Sequence, residues 1–407
     1  MSIRQQTPQI RFSGFSEDWS NLQFFDALDS IVDFRGRTPK KLGLEWSDKG
    51  YVALSALNVK NGYIDFSLDN HFGDEELYQK WMGGKELVAG QVLFTTEAPM
   101  GNIAQVPDNK GYILSQRTVA FNAKSSVITN DFLAVLLRSP ATFNRLESMT
   151  SGGTAKGVSQ KSMAKLEVDI PPDLKEQTAI GNLFQNIDQT IALQRRKHQQ
   201  TQTLKKSLLS KMFPKKGQKQ PEIRLAGFSG DWVEDELGKT IDIVMGQSPE
   251  SKYYTNNPKD KILVQGNADL KNGRVVPRVW TVKGTKKASP NDIIMSVRAP
   301  VGDIGKTDFD VVIGRGVAAI KGNDFIYQML MKMKIDDFWK KVSTGSTFES
   351  ISSSHIKEAL IMLPNSQQEQ TAIGQFFKQL DDTISLQAKQ LKTLDNLKKA
   401  LLAKMFV

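Results

Sequence analysis

The segment Pro8-Gln-Ile-Arg-Phe-Ser-Gly-Phe-Ser-Glu-Asp-Trp19 decides how this chain is organised. It returns in the second half as Pro221-Glu-Ile-Arg-Leu-Ala-Gly-Phe-Ser-Gly-Asp-Trp232. A match of this length within one chain indicates a tandem duplication rather than a chance motif. Each half therefore begins with the same structural element.

A second repeated segment closes each half. Glu176-Gln-Thr-Ala-Ile-Gly-Asn-Leu-Phe184 returns as Glu369-Gln-Thr-Ala-Ile-Gly-Gln-Phe-Phe377, and Lys211-Met-Phe213 returns as Lys404-Met-Phe406. Each half thus contains a closely repeated block of about 40 residues at its end.

Only sparse matches survive between these repeated ends. Gly36-Arg-Thr-Pro39 matches Gly246-Gln-Ser-Pro249, and Arg117-Thr-Val-Ala120 matches Arg315-Gly-Val-Ala318. One part of the duplicated plan has stayed alike while the other part, the divergent block, has changed. We expect the two divergent blocks to perform related but different tasks.

The composition describes a globular chain with a basic surface. Its 407 residues are 39% hydrophobic and 24% charged, which excludes a disordered or fibrous protein and allows two or more domains. The net charge of +10 favours a polyanionic partner. Cysteine is absent, and His71, His198 and His355 lack metal-ligand spacing, so we expect no metal and no cofactor. No apolar run resembles a signal peptide or a membrane helix, so we expect a cytoplasmic protein without a membrane partner.

The closely repeated block predicts a long helix. Asp173-Leu-Lys-Glu176 and Ser366-Gln-Gln-Glu369 each fit a capping box, in which the glutamate reaches back to the start of the helix. Apolar residues then recur every three or four positions, as in the heptad seam of a coiled coil. The predicted seam residues are Ile180, Leu183, Ile187, Ile191, Leu204, Leu208 and Met212 in the first copy and Ile373, Phe376, Leu380, Ile384, Leu391, Leu394, Leu401 and Met405 in the second.

Polar residues also fall on this predicted seam. Gln194 and Gln387 occupy equivalent seam positions, where a buried amide can fix the register. The cations at 195–197 and at 205–206 are expected on a solvated face. We expect the two helices to pack against each other; the alternative is that each packs on its own domain.

The divergent blocks combine short strands with helices. A helical stretch is predicted at 131–146 and at 325–342. The predicted strands are Gln91–Thr95, Asn102–Val106, Tyr112–Leu114, Thr118–Phe121, Asp292–Ser296 and Val311–Ile313. The expected fold class is α+β, with two mixed α/β domains, two long helices and a pseudo-two-fold internal repeat. The expected boundaries are 1–172 and 214–364 for the domains, and 173–213 and 365–407 for the helices.

The doubled order of these motifs resembles the specificity subunit of type I restriction-modification enzymes over essentially the whole chain. The resemblance rests on the paired opening segments, the Gly-x-Thr/Ser-Pro loops, and the Glu-Gln-x-x-Ile helices that end in Lys-Met-Phe. It implies that each divergent block is a target recognition domain that reads one half of a split sequence in double-stranded DNA. It also implies that the two helices form an antiparallel coiled coil that holds these domains apart.

The same resemblance implies partners and a division of labour. Two modification subunits would dock on the coiled coil and transfer the methyl group, and a restriction subunit would translocate and cleave DNA. This chain would then be no enzyme, and Glu176, Gln177, Glu369 and Gln370 are expected to bind the partner subunits. Some members carry short repeats that lengthen the central helix; none is found around 205–220, which leaves the spacer length open.

Two loops supply the first candidate DNA contacts, because phosphates need cations and base edges need amides, hydroxyls or arginines. The loop 35–41 is rich in cations, and the loop 246–252 matches it but has Gln247 where the first has Arg37. That exchange replaces a guanine-type reader by an adenine-type reader, as two different half-sites would require. The candidates are Arg35, Arg37, Thr38, Lys40, Gln247, Ser248 and Lys252; the alternative is an ordinary solvated turn.

Paired lysines and arginines supply further candidates, each with a structural alternative. Lys60 and Lys271 precede Asn-Gly pairs that suit type I′ hairpin turns, and both are candidate phosphate contacts. Arg117 and Arg315 precede buried-looking strands, and are either DNA contacts or salt-bridged structural residues.

The last candidates are less regular. Arg298 aligns with Glu97, a charge reversal that suits divergent half-sites. Lys156 lies in a polar loop that either meets phosphates or is simply solvated. Trp19 and Trp232 are expected to be core anchors rather than platforms for bases.

Catalytic motifs are incomplete. The run 305–307 lacks the first glycine of a phosphate-binding loop, and 169–173 lacks the spacing and the aromatic residue of an adenine methyltransferase motif. We therefore expect no catalytic residue. Two rival functions stay open from the sequence: a self-contained DNA-modifying enzyme such as a methyltransferase-nuclease fusion, and a coiled-coil organiser that does not bind nucleic acid.

Overall fold

The computed structural model describes residues 7–150, 157–345 and 349–407, which form two compact units. The first unit contains the chain up to Gln194 together with Gln390–Val407, and the second contains Arg195–Lys389. Each unit thus holds one divergent block and a portion of both long helices. The described residues include no helix that is both long and apolar enough to span a membrane.

The described residues of the first unit form eleven strands and four short helices, and the long helix α5 starts in this unit. Its strands are β1 Ser20–Gln23, β2 Leu28–Asp33, β3 Tyr51–Leu54, β4 Val59–Lys60, β5 Tyr63–Ile64, β6 Phe72–Gly73, β7 Val92–Thr95, β8 Ile103–Gln105, β9 Ile113–Leu114, β10 Thr118–Ala123 and β11 Glu167–Ile170. Its helices are α1 Glu75–Met82, α2 Asn130–Arg138, α3 Pro140–Ser148, α4 Gln160–Met163 and α5 Leu174–Lys211, with 3-10 turns at Phe24–Ala27 and Pro39–Leu42.

The second unit repeats this plan with additional strands. Its strands are β12 Val233–Glu236, β13 Ile243–Met245, β14 Tyr254–Thr255, β15 Lys261–Val264, β16 Leu270–Lys271, β17 Arg274–Val275, β18 Trp280–Thr281, β19 Lys287–Ala288, β20 Ile293–Ser296, β21 Ile304–Lys306, β22 Val311–Ile313, β23 Val317–Ile320 and β24 Leu360–Leu363. Its helices are α6 Leu237–Thr240, α7 Asp324–Ile335, α8 Phe338–Val342, α9 Ser353–Lys357 and α10 Gln367–Lys404, with 3-10 turns at Ser251–Tyr253 and Asn267–Asp269.

The sheets of the two units share one frame. The antiparallel sheet β2-β10-β7-β8 of the first unit matches the part β13-β23-β20-β21 of a six-stranded sheet in the second. The pair β1-β11 matches β12-β24, and the parallel pair β3-β9 matches β15-β22. The expected α+β class and internal repeat are confirmed. The six predicted strands are present, Val311–Ile313 with the predicted ends and the other five with slightly different ends.

The predicted helical stretches are each divided into two helices. In the first unit α2 ends at Arg138, and α3 starts at Pro140 with Ser139 as its cap. Proline suits the first position of a helix because its missing N–H group has no partner there in any case. In the second unit Asp337 adopts a left-handed conformation, with φ of 56°, between α7 and α8.

The register of the central strands corrects one sequence match. Thr95 and Ser296 are equivalent, because each hydroxyl donates to the carbonyl of the following proline, Pro99 or Pro300. Thr95 pairs with Thr118, and Ser296 pairs with Val317.

Thr118 and Val317 are therefore the equivalent residues. Arg117 then corresponds to Gly316, and Arg315 corresponds to Gln116. The match of the two Arg-x-Val-Ala segments is wrong by one residue, because the sequence identity there does not follow the hydrogen-bond ladder.

Within each unit the two long helices pack antiparallel. In the first unit the rings of Phe184 and Phe406 lie 6.2 Å apart, and Asp188 pairs with Lys398 at 2.5 Å. In the second unit Lys205 pairs with Asp381 at 2.5 Å, and the rings of Phe213 and Phe377 lie 6.1 Å apart. As the residue numbers rise on one helix they fall on the other, which confirms the antiparallel arrangement.

The seam contains more polar residues than the pattern predicts. Leu204 is exposed, and Lys205 is buried in an ion pair with Asp381. The expectation that Leu204 lies in the seam and that Lys205 lies on a solvated face is wrong, because the carboxylate of Asp381 compensates the lysine charge. Gln387 is buried and donates to the hydroxyl of Thr201 at 3.2 Å, whereas Gln194 is only half-buried.

The start of each long helix is held by an arginine of the opening segment. Arg11 donates to both carboxylate oxygens of Glu176, at 2.7 and 2.8 Å, and Arg224 does the same to Glu369, at 2.8 Å twice. These hydrogen bonds raise the pKa of both arginines above its ordinary value. The predicted capping boxes are therefore incomplete, because each glutamate binds an arginine instead of reaching back to the helix start.

The tryptophans of the opening segments lie in the cores, as expected. Trp19 packs edge-on against Phe132 and Phe406, and Trp232 packs in the same way against Phe213. Both tryptophans are almost completely buried. They join the start of each divergent block to the end of a long helix.

We expect Arg11→Ala to lower the free energy of unfolding by about 3–5 kcal/mol, because it leaves the buried carboxylate of Glu176 without a counter-charge. The measurement is urea denaturation of the whole chain. The control is Arg117→Ala, which breaks an exposed ion pair and should cost about 1 kcal/mol or less. Equal losses from both variants would contradict this account.

Candidate nucleic-acid interface

In the second unit three loops converge at one edge of the central sheet. We call this the second loop edge: residues 246–248 after β13, residues 297–299 after β20 and residues 314–316 before β23. The amide of Gly246 donates to Val317, that of Gln247 to Ile313, and that of Val297 to Gly316, each at 2.9 Å. Backbone hydrogen bonds of this kind fix the loops to the rigid sheet.

Glycines allow these loops to approach so closely. A Cβ atom on Gly246 would lie 2.1 Å from the carbonyl oxygen of Gly314, and one on Gly316 would lie 1.9 Å from that of Gln265. Any side chain at these two positions would push the loops apart. The edge is therefore a preformed surface.

Four of the predicted contact residues meet at the second loop edge. They are Gln247, Ser248, Arg298 and Arg315, all exposed. The hydroxyl of Ser248 accepts from the amide of Arg315 at 3.0 Å. Among the residues that the structure describes, neither arginine forms an ion pair, so both guanidinium groups can donate to phosphates or guanines.

A neighbouring segment was missed by the sequence analysis. The hydroxyl of Thr285 donates to the side-chain oxygen of Gln247 at 3.3 Å. Lys252 pairs with Glu250, and both Lys252 and Lys283 lie over the ring of Tyr253, at 5.1 and 4.9 Å. The signal for this segment was the lysine run at 283–287, but no counterpart in the first half drew attention to it.

In the first unit the cationic loop is held by its own domain. Arg35 donates to the carboxylate of Asp33 at 2.8 Å, and Arg37 donates to the carbonyl of Trp81 and lies 4.4 Å over the ring of Phe34. Thr38 caps the 3-10 turn that follows by accepting from the amide of Lys41. The arginines therefore shape this loop, and Lys40 is exposed on it.

The two Gly-x-Thr/Ser-Pro loops are not equivalent in space. Asp33 pairs with Val119 and Met245 pairs with Ala318, and these two partners occupy the same place in the repeated sheet. Gly246 thus follows the sheet directly, whereas Gly36 is the third residue after the sheet, two positions further along than Gly246, with φ of +80° and open space around it. The prediction that Gln247 replaces Arg37 at one position is wrong for this reason.

Arg117 lies at the corresponding edge of the first unit, the first loop edge, which consists of residues 96–98, 116–117 and 157–160. Its Nε atom lies 3.0 Å from the Oε1 atom of Glu97, and the two side chains are 59% and 48% exposed. The amide of Thr96 donates to the carbonyl of Arg117. Gln160, which the sequence analysis did not single out, donates to Asp33 at 2.7 Å.

The two lysines of the Asn-Gly turns lie elsewhere. A Cβ atom on Gly62 would lie 2.8 Å from Arg138, and one on Gly273 would lie 2.6 Å from the hydroxyl of Tyr327. Lys60 and Lys271 therefore belong to hairpins that pack beside α2 and α7. Both turn residues after Lys271 have positive φ, as a type I′ turn requires, but in the first hairpin only Gly62 does. Lys156 lies outside the described residues.

The residues predicted to bind partners lie at the helix starts, largely inside the fold. Glu176, Gln177 and Glu369 are buried, and Gln370 is half-buried. Gln177 accepts from the amide of Thr129 and donates to Val127, at 2.9 and 2.8 Å. The repetition of this Glu-Gln pair is explained by contacts within the chain, so the geometry does not favour a direct contact with a partner.

The described residues contain no cluster of three or more side chains suited to hold a metal ion. The large pKa shifts lie in the cores rather than at the loop edges. Burial, with a hydrogen bond to Asp108, raises the pKa of Tyr112 to about 12. Such a buried tyrosine serves the fold and has no evident reaction partner.

We expect Arg37→Ala to lower the free energy of unfolding by about 1–2 kcal/mol, because it removes a hydrogen bond and a cation–π contact. Gln247→Ala, on an exposed preformed loop, should change it by about 0.5 kcal/mol or less. Urea denaturation of both variants checks this difference. A larger loss from Gln247→Ala than from Arg37→Ala would show that the two loops have been assigned the wrong roles.

Comparisons with known proteins agree with this architecture. The model of the type I restriction modification DNA specificity domain matches residues 19–203 and again residues 229–396. A Methanocaldococcus jannaschii protein named as a type I restriction enzyme MjaX specificity subunit is 28% identical over 407 residues, which cover 95% of this chain and 92% of that protein. The MjaVIII specificity subunit of the same organism is 21% identical over 409 residues, which cover 95% and 91%.

Solved structures share the fold. The S subunit of a type I restriction-modification system from M. genitalium matches with a TM-score of 0.67 at 16% identity, over 98% of this chain and 99% of that one. A chain from a study of complex assembly in a type I R-M system matches with a TM-score of 0.55 at 23% identity, over 94% and 96%. The chain therefore belongs to the type I restriction-modification DNA specificity family, whose members are non-catalytic subunits that supply sequence recognition to partner subunits.

Proposed function

We propose that this chain reads an asymmetric, bipartite sequence in double-stranded DNA, with 1–172 and 214–364 as the two recognition domains. The first and second loop edges would each contact one half-site. The observation that carries this proposal is the contrast between a sheet frame that is repeated and edges that differ. The first edge has the pair Glu97–Arg117, and the second has Gln247, Arg298 and Arg315.

The chemistry of the second loop edge suits a major groove. Gln247 can form two hydrogen bonds with an adenine, and Arg298 and Arg315 can donate to guanines or phosphates. Lys252 and Lys283 lie beside this surface and carry the charge that phosphates require. Exposed cations on rigid loops give both register and affinity. We propose that the protein binds this DNA in the cytoplasm.

We expect Gln247→Ala to relax the preference at one or two base pairs of a single half-site, with a loss of about 1–3 kcal/mol for the preferred base. Lys252→Ala should instead weaken all sequences evenly and reduce the salt slope by about 1. The measurement is competition binding of DNA variants, at several salt concentrations, to the chain assembled with its partner subunits. An even loss from Gln247→Ala would refute its role as a reader, and affinity that does not depend on salt would favour an organiser that does not bind DNA.

The long helices supply a second surface, which we assign to the modification subunits. In the first unit Leu193 and Leu397 are 68% and 48% exposed, and in the second unit Leu386 and Leu204 are 57% and 51% exposed. Leu193 and Leu386 occupy equivalent positions in the two repeated helices, and so do Leu204 and Leu397. Each unit thus carries the same leucine pair.

Leu193 and Leu386 face away from the divergent blocks. Asp188 pairs with Arg138 of α2, and Asp381 accepts from Gln328 of α7, so both carboxylates face the globular part of their unit. Leu193 and Leu386 each follow five residues later, which is about 140° around the helix. An exposed leucine pair with one member on this outer face is a suitable docking site for a further helix.

Two equal leucine pairs support two copies of one partner. We therefore propose that one modification subunit docks on each pair, and that restriction subunits join the complex thus formed. The buried residues at the helix starts would act only indirectly, by fixing the helices. Catalysis would then lie in these partners.

We expect the double variant Leu193→Glu, Leu397→Glu to assemble with one modification subunit instead of two, because charges replace the apolar contact in one unit only. The masses of the purified complexes measure this change. Leu360→Glu is the matched control, since Leu360 is equally exposed but lies on β24. If the double variant still binds two modification subunits, the leucine pair is not part of the docking surface.

A further inference from the structure

We infer that Glu97 is a specificity-determining residue that accepts a hydrogen bond from the 4-amino group of a cytosine in the half-site of the first unit. Arg117 would donate to the guanine of the same base pair. This inference rests on the proposed function, in which the first loop edge contacts DNA. The alignment of Glu97 with Arg298 indicates only that the charge differs between the two units. This inference assigns Glu97 a specific base contact.

The geometry of the pair matches one base pair. Arg117 uses its Nε atom toward Oε1 of Glu97, at 3.0 Å, which leaves its terminal nitrogen atoms to donate and the Oε2 atom of Glu97 to accept. A G·C pair presents two acceptors, on guanine, beside one amino donor, on cytosine, in the major groove. The order of donors and acceptors on the protein is the complement of that pattern.

The fold does not explain the carboxylate. Both side chains are about half exposed, and exposed ion pairs contribute little to folding. The second unit has the same frame without it: Glu97 forms an antiparallel bridge with Gly157, and Arg298 forms one with Ser350. The position accepts either charge.

A carboxylate on a surface that meets DNA also opposes binding. Its negative charge repels phosphates and lowers non-specific affinity. A direct contact with a base would compensate for this loss of non-specific affinity, since Asp and Glu accept a hydrogen bond from the amino group of cytosine. An arginine at the equivalent position, Arg298, cannot accept any hydrogen bond, so the two units must differ in what they read there.

The test removes one amino group from the DNA. The full chain, assembled with its partner subunits, is offered duplexes in which each cytosine of the first half-site is replaced singly by a 2-pyrimidinone base, which lacks the 4-amino group. We expect one replacement to weaken the binding of the unchanged protein about ten-fold or more. The variant Glu97→Ala should bind that duplex and the natural duplex equally.

Two further variants make the test specific. Arg298→Ala, in the second unit, should remain sensitive to the same replacement. Glu97→Arg should lose the sensitivity and show a salt slope steeper by about 1, because a phosphate-binding cation replaces the carboxylate. Thermal unfolding of both Glu97 variants should match the unchanged protein, since the residue is exposed.

The outcomes separate this inference from the proposed function. If no single replacement weakens DNA binding by the unchanged protein, or if Glu97→Ala stays sensitive, Glu97 reads no cytosine. Sequence-specific binding by the complex in the same experiment would leave the proposed function intact. If the assembled complex shows no sequence preference at all, the proposed function fails together with the inference.

Discussion

The doubled arginine–glutamate pair is the interaction on which the rest of each unit depends. Arg11 and Arg224 hold the first turn of a long helix, and the residue before each arginine donates its amide to the last turn of the other helix, to Lys404 or to Lys211, at 2.9 Å. One short segment thus joins the start of one helix to the end of its neighbour. Because a buried carboxylate is costly without its counter-charge, the segment cannot leave without a large loss of stability.

Most of this frame could be predicted from the sequence alone, because the two copies of a duplicated plan can be compared within one chain. The matching residues of the opening segments and of the helices predicted the internal repeat, the long helices and the buried tryptophans. The predictions failed where a tertiary partner overrode a local pattern. Lys205 lies in the seam because Asp381 compensates its charge. Glu176 does not form the predicted capping box because its carboxylate binds Arg11.

The candidate site was less predictable, because two loops with matching residues can still lie at different positions relative to the sheet. The Gly-x-Thr/Ser-Pro motif begins two residues later after the sheet in the first unit than in the second, and the Arg-x-Val-Ala match is displaced by one residue. In a strand, a displacement of one residue moves every side chain to the other face. The true register is revealed by the strand pairings of Thr95 with Thr118 and of Ser296 with Val317, which join residues that are distant in sequence.

The division between what is repeated and what differs has a physical basis. Under the proposed function, a helix pair that receives the same partner twice must present the same apolar surface twice, and Leu193 and Leu204 do recur as Leu386 and Leu397. Loops fixed to a rigid sheet are free to differ, because an exposed side chain there adds little to stability whichever charge it has. Glu97 and Arg298 occupy one position in the frame with opposite charges, and the frame is unaffected. The same duplication can therefore keep one surface constant while the other changes what it recognises.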